Sequence, residues 1–320
     1  MKMECNPYYE DAQWSLYRYV PSIAAPIAFC VLFALTSILH AVQILKTRTW
    51  YLCALLIGGF CETIGYATRA VNAREDPGCW TLNPYIIQNL LILVAPAFIA
   101  ASIYMILGRI ILLTEGEGHA LIKRKWLTKI FVAGDVVSLL MQGSGGGMMA
   151  AGNETNNMVS LGENVITVGL FVQLVIFGFF VIVAGLFQYK MQRRPTTRSQ
   201  EPAIRWRKYL LTLYVTSVII WIRCLFRVIE YLQGNDGYLM RHEAFVFIFD
   251  GVLMFIVLAW MNWFHPAEIG LLLRGKVPGK NGLELIYVSP RTKVDAESRG
   301  SWSGRDTCGD GDSFQAKQGA

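Results

Sequence analysis

Blocks of about 20 apolar residues recur along the chain between Tyr19 and Phe264, separated by short polar segments. A helix needs about 20 residues to cross a hydrocarbon core of about 30 Å, and inside that core every backbone polar group must bond within its own segment. The pattern therefore predicts an all-α, polytopic membrane protein, a bundle of seven transmembrane helices. The predicted spans are 19–45, 50–71, 85–113, 126–150, 163–189, 208–232 and 242–264.

Lysine and arginine are unevenly divided among the loops between these blocks. Such residues resist transfer across a membrane, whereas acidic residues have little effect on topology. The second, fourth and sixth loops contain only Arg74 and Arg241. The first, third and fifth loops contain Lys46, Arg48, Lys123, Arg124, Lys125, Lys190, Arg193, Arg194, Arg198, Arg205, Arg207 and Lys208. The odd loops are therefore predicted to be cytoplasmic, with the amino terminus outside and the carboxy terminus in the cytoplasm.

Three regions follow from this topology. Residues 1–18 are predicted to be a short extracytoplasmic segment, and residues 19–266 form the seven-helix transmembrane domain. Residues 267–320 are predicted to be a cytoplasmic, largely disordered tail, because from residue 276 onward Gly, Ser and charged residues dominate and few large apolar side chains are available for a core.

Composition and motifs exclude several other classes of protein. Only 16% of the residues are charged, against about 25% in a soluble domain, and the net charge of +6 resides in loops and tail, which argues against nucleic-acid binding. The seven cysteines lack metal-binding spacing, so no metal site and no cofactor are predicted. The segment from Gly270 to Lys276 imitates a phosphate-binding loop, but Val277 stands where Ser or Thr is required. No catalytic motif is evident, and we expect no enzyme activity.

Two covalent features are expected on the outer side. Cys5 and Cys79 are the cysteines predicted to lie there, where they could form a disulfide or remain free thiols. Asn153 begins the sequence Asn-Glu-Thr in the fourth loop and is a glycosylation candidate.

The most informative residues are ionisable or strongly polar groups inside the spans. Each charge at the bilayer centre costs at least about 2.5 kcal/mol, so such side chains should face the bundle interior. They are Glu62, Arg69, Asp135, Gln142, Arg223, Arg227, Glu230, Glu243 and Asp250, to which Arg109 adds a further base. We predict that they line a polar cavity for substrate binding or translocation that opens outward. The alternative is that they pair with one another and only fix the register of the helices.

Small residues and a proline are expected to loosen the bundle. Pro96 should interrupt the third span, and the fourth contains Gly143, Gly145, Gly146 and Gly147. The glycines predict either close approach of a neighbouring helix, through the pair Gly143 and Gly147, or local unwinding beside a ligand.

The same regions resemble a known family, the fungal lipid-translocating exporters, or RTA-like resistance proteins. The resemblance rests on Glu62-Thr-Ile-Gly-Tyr-Ala-Thr-Arg69, Ala95-Pro96 through Gly108-Arg109, Gly134-Asp135 through Gln142 to Gly147, Gly169-Leu-Phe-Val-Gln173, Arg223-Cys-Leu-Phe-Arg227-Val-Ile-Glu230, Glu243, Asp250 and His265-Pro266. It implies a seven-helix fungal membrane protein linked to release or flip of sphingoid long-chain bases, to resistance against toxic amphiphiles and, in some members, to porphyrin traffic.

The leading hypothesis is a flippase-like transporter or exporter of amphipathic lipids such as sphingoid bases, with membrane lipids and an amphipathic small molecule as partners. A cationic headgroup would pair with Glu62 or Asp250 while Arg69, Arg223 and Arg227 balance the empty state. Alternatives are a seven-helix receptor or sensor, a porphyrin or haem transporter, and an intramembrane enzyme. A G-protein-coupled receptor is disfavoured because Gly108-Arg109-Ile110 stands where such receptors have an acid-Arg-Tyr triplet. The plasma membrane, or another endomembrane, is the expected location.

Overall fold

The computed structural model describes residues 5, 8–9, 15–151, 156–201, 204–234, 237–277, 282–287 and 291–292. Within them the architecture is a bundle of long helices. The first six are α1 (Ala24–Thr47), α2 (Cys53–Asn72, preceded by a 3₁₀ turn Trp50–Leu52), α3 (Leu82–Leu113), α4 (Arg124–Ala151), α5 (Asn156–Arg193) and α6 (Trp206–Leu232). A helix therefore occupies each of the first six predicted blocks.

The seventh block is a composite helix. After the short helix α7 (Tyr238–Arg241), one helical turn, α8 (Glu243–Val246), passes into a π-helical turn, Phe247–Val252, and continues as α9 (Leu253–Trp263). The π turn contains Asp250. Such insertions of one residue into an α-helix are rare and recur at functional sites.

Six segments in the described residues are long and apolar enough to cross a membrane. They are Ala24–Thr47, Trp50–Asn72, Leu82–Leu113, Met158–Arg193, Trp206–Leu232 and Glu243–Leu273. Helix α4 spans 28 residues but is not among them. Lys129, Asp135, Gln142 and its glycines make it less apolar than the other long helices. The chain is thus a predominantly helical integral membrane protein, and six of its described helical segments have evident spanning character.

Large apolar side chains cover the outside of the bundle as well as its interior. Leu35, Leu140, Val175 and Leu211 are each more than half exposed. Contiguous apolar surface of this kind is unusual for a soluble protein and is expected where lipid is the solvent. The packed interior is rich in aromatic residues, including Tyr104, Phe131, Phe177 and Phe180.

Glycines set the closest helix contacts. A methyl group on Gly58 would lie 2.9 Å from the carbonyl oxygen of Ala95, so α2 approaches the backbone of α3 there. A methyl group on Gly145 would lie 2.6 Å from the carbonyl oxygen of Gly162, which brings α4 equally close to α5. These two antiparallel pairs, α2 with α3 and α4 with α5, are the most extensively packed in the bundle.

The packed region continues beyond Pro266. Helix α10 (Ala267–Leu273) buries Ala267, Ile269 and Leu271, and α11 (Glu284–Tyr287) buries Leu285. Strands β1 (Lys276–Val277) and β2 (Arg291–Thr292) form a two-residue antiparallel pair between and after these helices. Inside the first part of the predicted tail there is therefore ordered, core-contacting structure. The apolar run Ile269 to Leu273 supplies the side chains for it.

The first described residues of the tail also contact α1. The amide of Gln43 donates to the carbonyl oxygens of Asn262 and Gly282 at 3.0 and 3.1 Å. Arg274 donates to the carbonyl oxygens of Thr47 and Arg48 at 3.1 and 2.8 Å, which supplies partners for the end of α1. At this end of the bundle, hydrogen bonds therefore join α1 to the end of α9, to Arg274 and to Gly282.

Candidate functional site

Two arginines and two acids from α6 and the π turn form a buried central cluster. Arg223 Nε lies 2.8 Å from Asp250 Oδ1, and Arg227 Nη2 forms an ion pair with Asp250 Oδ2. Arg227 Nη1 also contacts Glu230 Oε2 at 2.8 Å. Arg223 and Asp250 are 2% and 0% exposed, so these charges are removed from lipid and from water. Predicted residues of two separate spans are thus brought together by direct ion pairs.

Pro96 leaves a backbone carbonyl of α3 free to accept a hydrogen bond from this cluster. Helix α3 runs through Pro96 without a break, so the expected interruption does not occur. Proline has no N–H to donate to the carbonyl four residues earlier, which is that of Ile92. Arg223 Nη2 donates to the Ile92 carbonyl oxygen at 2.7 Å instead. The proline therefore leaves a backbone acceptor that the guanidinium occupies, and α2 and α6 both pack against α3.

Glu62 lies beside this cluster but forms none of its bonds. Its side chain is 0% exposed, and neither carboxylate oxygen has a hydrogen-bond partner in the described part of the chain. Arg223 and Arg227 are the cations whose charge acts on it. The hydroxyl of Tyr66, one turn further along α2, likewise has no partner among the described residues. An unpaired buried carboxylate is expensive, and such a group in a native fold calls for a functional explanation.

A second cluster lies toward the other end of α2. Arg69 Nη2 donates to the Tyr19 hydroxyl at 2.6 Å and contacts Glu243 Oε1 at 3.1 Å. Glu243 Oε2 accepts a hydrogen bond from the backbone N–H of Ser22 at 3.0 Å. Burial raises the pKa of Tyr19 to about 12, although the Arg69 charge opposes that shift. Glu62 and Arg69 therefore lie on one face of α2, but Arg69 bonds to Tyr19 and Glu243 whereas Glu62 has no bonding partner among the described residues.

An aromatic stack separates the two clusters. Tyr66 stacks on Phe29 and Phe33 with ring centroids 5.3 and 5.4 Å apart, and Phe29 stacks on Phe247 at 5.5 Å. The Arg69 guanidinium lies 5.1 Å from the Phe247 ring centroid. Along α2, Tyr66 stands between Glu62 and Arg69, so the stack lies between the deep carboxylate and the Arg69 cluster. Aromatic faces attract ammonium groups, most strongly where water is excluded.

Asp135 and Gln142 do not join the central cluster. Gln142 Nε2 donates to Gln173 Oε1 at 3.0 Å and so links α4 to α5. Asp135 is buried beside Tyr104, and neither of its carboxylate oxygens has a hydrogen-bond partner among the described residues. The predicted Asp135 and Gln142 stripe therefore faces inward, but its contacts are with α3 and α5.

Two cavities adjoin each other next to these charges. The larger, about 200 Å³, lies between α3, α4, α5 and α6 and is lined mostly by apolar side chains, among them Leu90, Leu93 and Ile166. The smaller, about 60 Å³, is lined by Arg69, Arg227, Glu230 and residues 15–19. Both are lined by Tyr85, Asn89, Tyr231 and Met240. One wall therefore separates an apolar chamber from a polar one.

The glycines of α4 have two different functions in this geometry. Helix α4 is continuous, so no unwinding occurs, and the close approach to α5 is made by Gly145 rather than by the expected pair. Gly143, Gly146 and Gly147 line the apolar cavity, and a methyl group on any of them would meet no neighbouring atom within 4 Å. The absence of side chains there leaves the space that the cavity occupies.

Residues 15–19 cover the polar cavity. Cys5 is joined to Cys79 by a disulfide, and Leu16 and Tyr17 are buried against Trp80. The ring centroids of Tyr17 and Trp80 lie 5.1 Å apart, and Tyr17 packs at 5.3 Å on Tyr85 of the shared wall. Asn153, the glycosylation candidate, lies outside the described residues.

Sequence reasoning missed several residues of this site. The sequence pattern marks Tyr19 and Tyr231 only as span ends, and it predicts no part in the site for Asn89 and Met240 of the shared wall. Asn89 carries a usable signal, because it is a polar residue inside an apolar block. The aromatic and thioether side chains carry no comparable signal, since such residues are ordinary in a membrane helix.

Comparison with known proteins agrees with the resemblance noted from the motifs. A family model described as "RTA1 like protein" matches residues 55–271. The chain is 35% identical to Protein RTA1 of Saccharomyces cerevisiae over 269 residues, which cover 76% of this chain and 82% of that one. It is 35% identical to Protoporphyrin uptake protein 1 of the same yeast, covering 78% of this chain and 91% of that one.

A more distant relative is the Sphingoid long-chain base transporter RSB1 of Saccharomyces cerevisiae, at 26% identity over 298 residues, or 82% of this chain and 75% of that one. No solved structure matches the chain. The family match covers most of the chain and includes all the residues of the central cluster. The chain belongs to the RTA1-like family of membrane proteins.

Proposed function

We propose that the protein is a flippase-like exporter of single-chain amphipathic lipids, such as sphingoid long-chain bases and toxic cationic amphiphiles, and that it contributes to resistance from the plasma membrane. The observation that carries the proposal is the pair of adjoining cavities of opposite character. An amphiphile likewise has an apolar tail and a polar headgroup. The tail would occupy the apolar cavity and the headgroup the polar cavity, on either side of the Tyr85 and Tyr231 wall.

The charges favour a cationic headgroup. The polar cavity leads to Glu230 and Arg227, and behind them lies Glu62, a fully buried carboxylate without a partner among the described residues. Asp250 already pairs with two guanidiniums, so Glu62 is the better partner for an incoming ammonium. Protoporphyrin, named in one relative, carries two carboxylates, which this surplus of acids would repel.

The topology we propose has seven spans, with the amino terminus outside. Helix α4, at 28 residues, would be about 42 Å long, which is sufficient to cross the bilayer, and its polar face is turned inward at Asp135 and Gln142.

The bond between Cys5 and Cys79 supports the orientation. It joins two points separated by α1 and α2, which places them on one side, and disulfides persist on the oxidising side of a membrane.

The test is release of labelled sphingoid base from fungal cells that lack their own members of this family. We would compare wild type, Gly146→Leu and empty vector. Gly146 faces the apolar cavity, so a leucine there would fill the space required by the tail and lower release several-fold. Gly118→Leu is the matched control, because Gly118 lies in a loop turn with no atom within 4 Å of its added methyl group.

Release by wild type and Gly118→Leu above that of the empty vector, with Gly146→Leu close to it, would support the proposal. Surface abundance of each variant is measured in the same cells. Equal release with and without the protein would refute it.

A further inference from the structure

The central cluster and Glu62 together contain more acidic than basic side chains. Three carboxylates, on Glu62, Glu230 and Asp250, face two guanidiniums, on Arg223 and Arg227. If all five groups are ionised, one negative charge remains in excess. The ion pairs locate that excess, because Asp250 contacts both arginines and Glu230 contacts Arg227, whereas Glu62 has no hydrogen bond or ion pair in the described part of the chain.

The surroundings of Glu62 offer no other compensation. Its own helix brings Cys61 and Tyr66 near it and carries Arg69 seven residues further on, where Arg69 is paired with Glu243. Helix α6 brings Arg223 and Arg227, and the π turn brings Asp250. The titratable residues of α1 are Cys30, His40 and Lys46, and those of α3 are Tyr85, Tyr104 and Arg109. None of these bonds to Glu62 within the described residues. An unpaired carboxylate buried to 0% exposure costs several kcal/mol, so the site requires one cation.

We propose that Glu62 holds a proton when the site is empty and exchanges it for one cationic headgroup. This inference rests on the proposed function and names its energy source. As the ammonium enters, the O–H bond of the Glu62 carboxyl breaks, the proton passes to water of the polar cavity, and the carboxylate forms an ion pair with the ammonium. When the amphiphile leaves, one proton returns to the carboxylate.

Two properties of transport follow from this exchange. The proton and the ammonium compensate the same charge, so they bind to Glu62 one at a time and in a ratio of one to one. Because one positive charge replaces another, the central cluster keeps the same net charge and the exchange across the membrane is electroneutral. A pH gradient that is acidic outside would therefore drive export of the amine, and membrane potential would have little effect.

Calorimetry on the full-length protein in lipid nanodiscs tests the proton count. The probe is dodecyltrimethylammonium, a quaternary amine that carries no proton of its own. Its binding heat is measured at one pH in two buffers of different ionisation enthalpy, which gives the number of protons released per bound molecule. We expect about one proton for wild type and for Glu117→Gln, an exposed acid-to-amide control, and none for Glu62→Gln.

Infrared spectroscopy keeps the test decisive even where Glu62→Gln binds too weakly for calorimetry. The C=O stretch of the Glu62 carboxyl, identified as the band that Glu62→Gln lacks, should be present in empty wild type and disappear when the probe is added. Binding to wild type without proton release, or an unchanged carboxyl band, would overturn the exchange while leaving transport itself standing. A wild-type protein that binds no cationic amphiphile would instead refute the proposed function and the exchange with it.

Discussion

Pro96 and Arg223 are coupled through one backbone oxygen. The Ile92 carbonyl, which receives no N–H from Pro96, accepts a hydrogen bond of 2.7 Å from Arg223 Nη2. A guanidinium has five donors in a planar fork and needs several acceptors when buried. Asp250 supplies the counter-charge 2.8 Å away, and the carbonyl freed by proline supplies an acceptor. The proline thus holds Arg223 in place without lining a cavity itself.

Replacement of Pro96 by alanine should therefore stabilise the protein less than replacement of an interior helical proline usually does. An interior proline ordinarily costs a helix about 3 kcal/mol relative to alanine. The new N–H at position 96 would compete for the Ile92 carbonyl and weaken the Arg223 bond, which is worth about 1.5–3 kcal/mol for a charged donor. We expect a net change in unfolding free energy below about 1.5 kcal/mol together with reduced transport. Denaturant titration in detergent measures the unfolding free energy, and release of labelled sphingoid base from cells measures transport.

Pro84→Ala is the control for that substitution. Pro84 lies in the first turn of α3, where the N–H has no helical acceptor, and its replacement should leave transport unchanged. Full stabilisation of Pro96→Ala with unaltered transport would show that the freed carbonyl has no function.

The ion pairs of Asp250 should be strongly interdependent. Asp250→Asn leaves two buried guanidiniums short of a counter-charge and should cost about 3–5 kcal/mol of unfolding free energy. Arg223→Gln in the same chain removes the guanidinium whose ion pair, among the described residues, is with Asp250, and should recover part of the loss. A double-mutant cycle of thermal or denaturant unfolding measures the coupling. Additive losses would mean that the two side chains stabilise the bundle independently.

Adjacent glycines of α4 should respond oppositely to the same substitution. Gly145→Ala places a methyl group 2.6 Å from the Gly162 carbonyl oxygen and should separate α4 from α5, lowering thermal stability. Gly146→Ala meets no atom within 4 Å and gains helix propensity of up to about 1 kcal/mol, so its stability should be unchanged or higher. Thermal unfolding followed by size-exclusion chromatography compares the two. Equal destabilisation would argue against the open space assigned to Gly146.

Loss of the disulfide should loosen the cover of the polar cavity. Cys5 and Cys79 are 74 residues apart, and a bond closing a loop of that size contributes typically about 2–4 kcal/mol. Cys5→Ser and Cys79→Ser should lower stability by similar amounts, and the double variant should be no worse than either single one. Cys30→Ser, which removes a free thiol, should have little effect. A further loss in the double variant would indicate that the cysteines act separately.

The sequence pattern predicts burial best for the side chains whose exposure to lipid would cost the most free energy. A charge in an apolar span must face protein, so the burial of Glu62, Arg69, Arg223 and Asp250 could be foreseen. The helix positions could also be predicted, since the bilayer requires one continuous segment per crossing. For example, the third span was predicted at 85–113, and α3 is Leu82–Leu113.

The partners of those charges could not be predicted, because pairing depends on how helices distant in sequence rotate against each other. Arg69 bonds to Glu243, 174 residues away, and nothing in its own helix distinguishes that partner from Glu62. The effects of Pro96 and of the glycines were predicted as local distortions of their own helices. In the structure they act on other helices instead, by freeing an acceptor for α6 and by leaving space beside α3.

The π turn at Phe247–Val252 sets the angle around the helix axis between the two acids of the seventh helix. Glu243 precedes the turn and is bonded to Arg69, while Asp250 lies within it and is bonded to Arg223 and Arg227. Each residue of an α-helix advances the chain by about 100° around the axis, so removal of the inserted residue from the turn would rotate one acid by that angle relative to the other. Both sets of ion pairs are compatible with only one of these two arrangements. The ion pairs of Glu243 and Asp250 therefore hold the π turn in its place on the helix, because its migration would break one set of bonds while the other stayed intact.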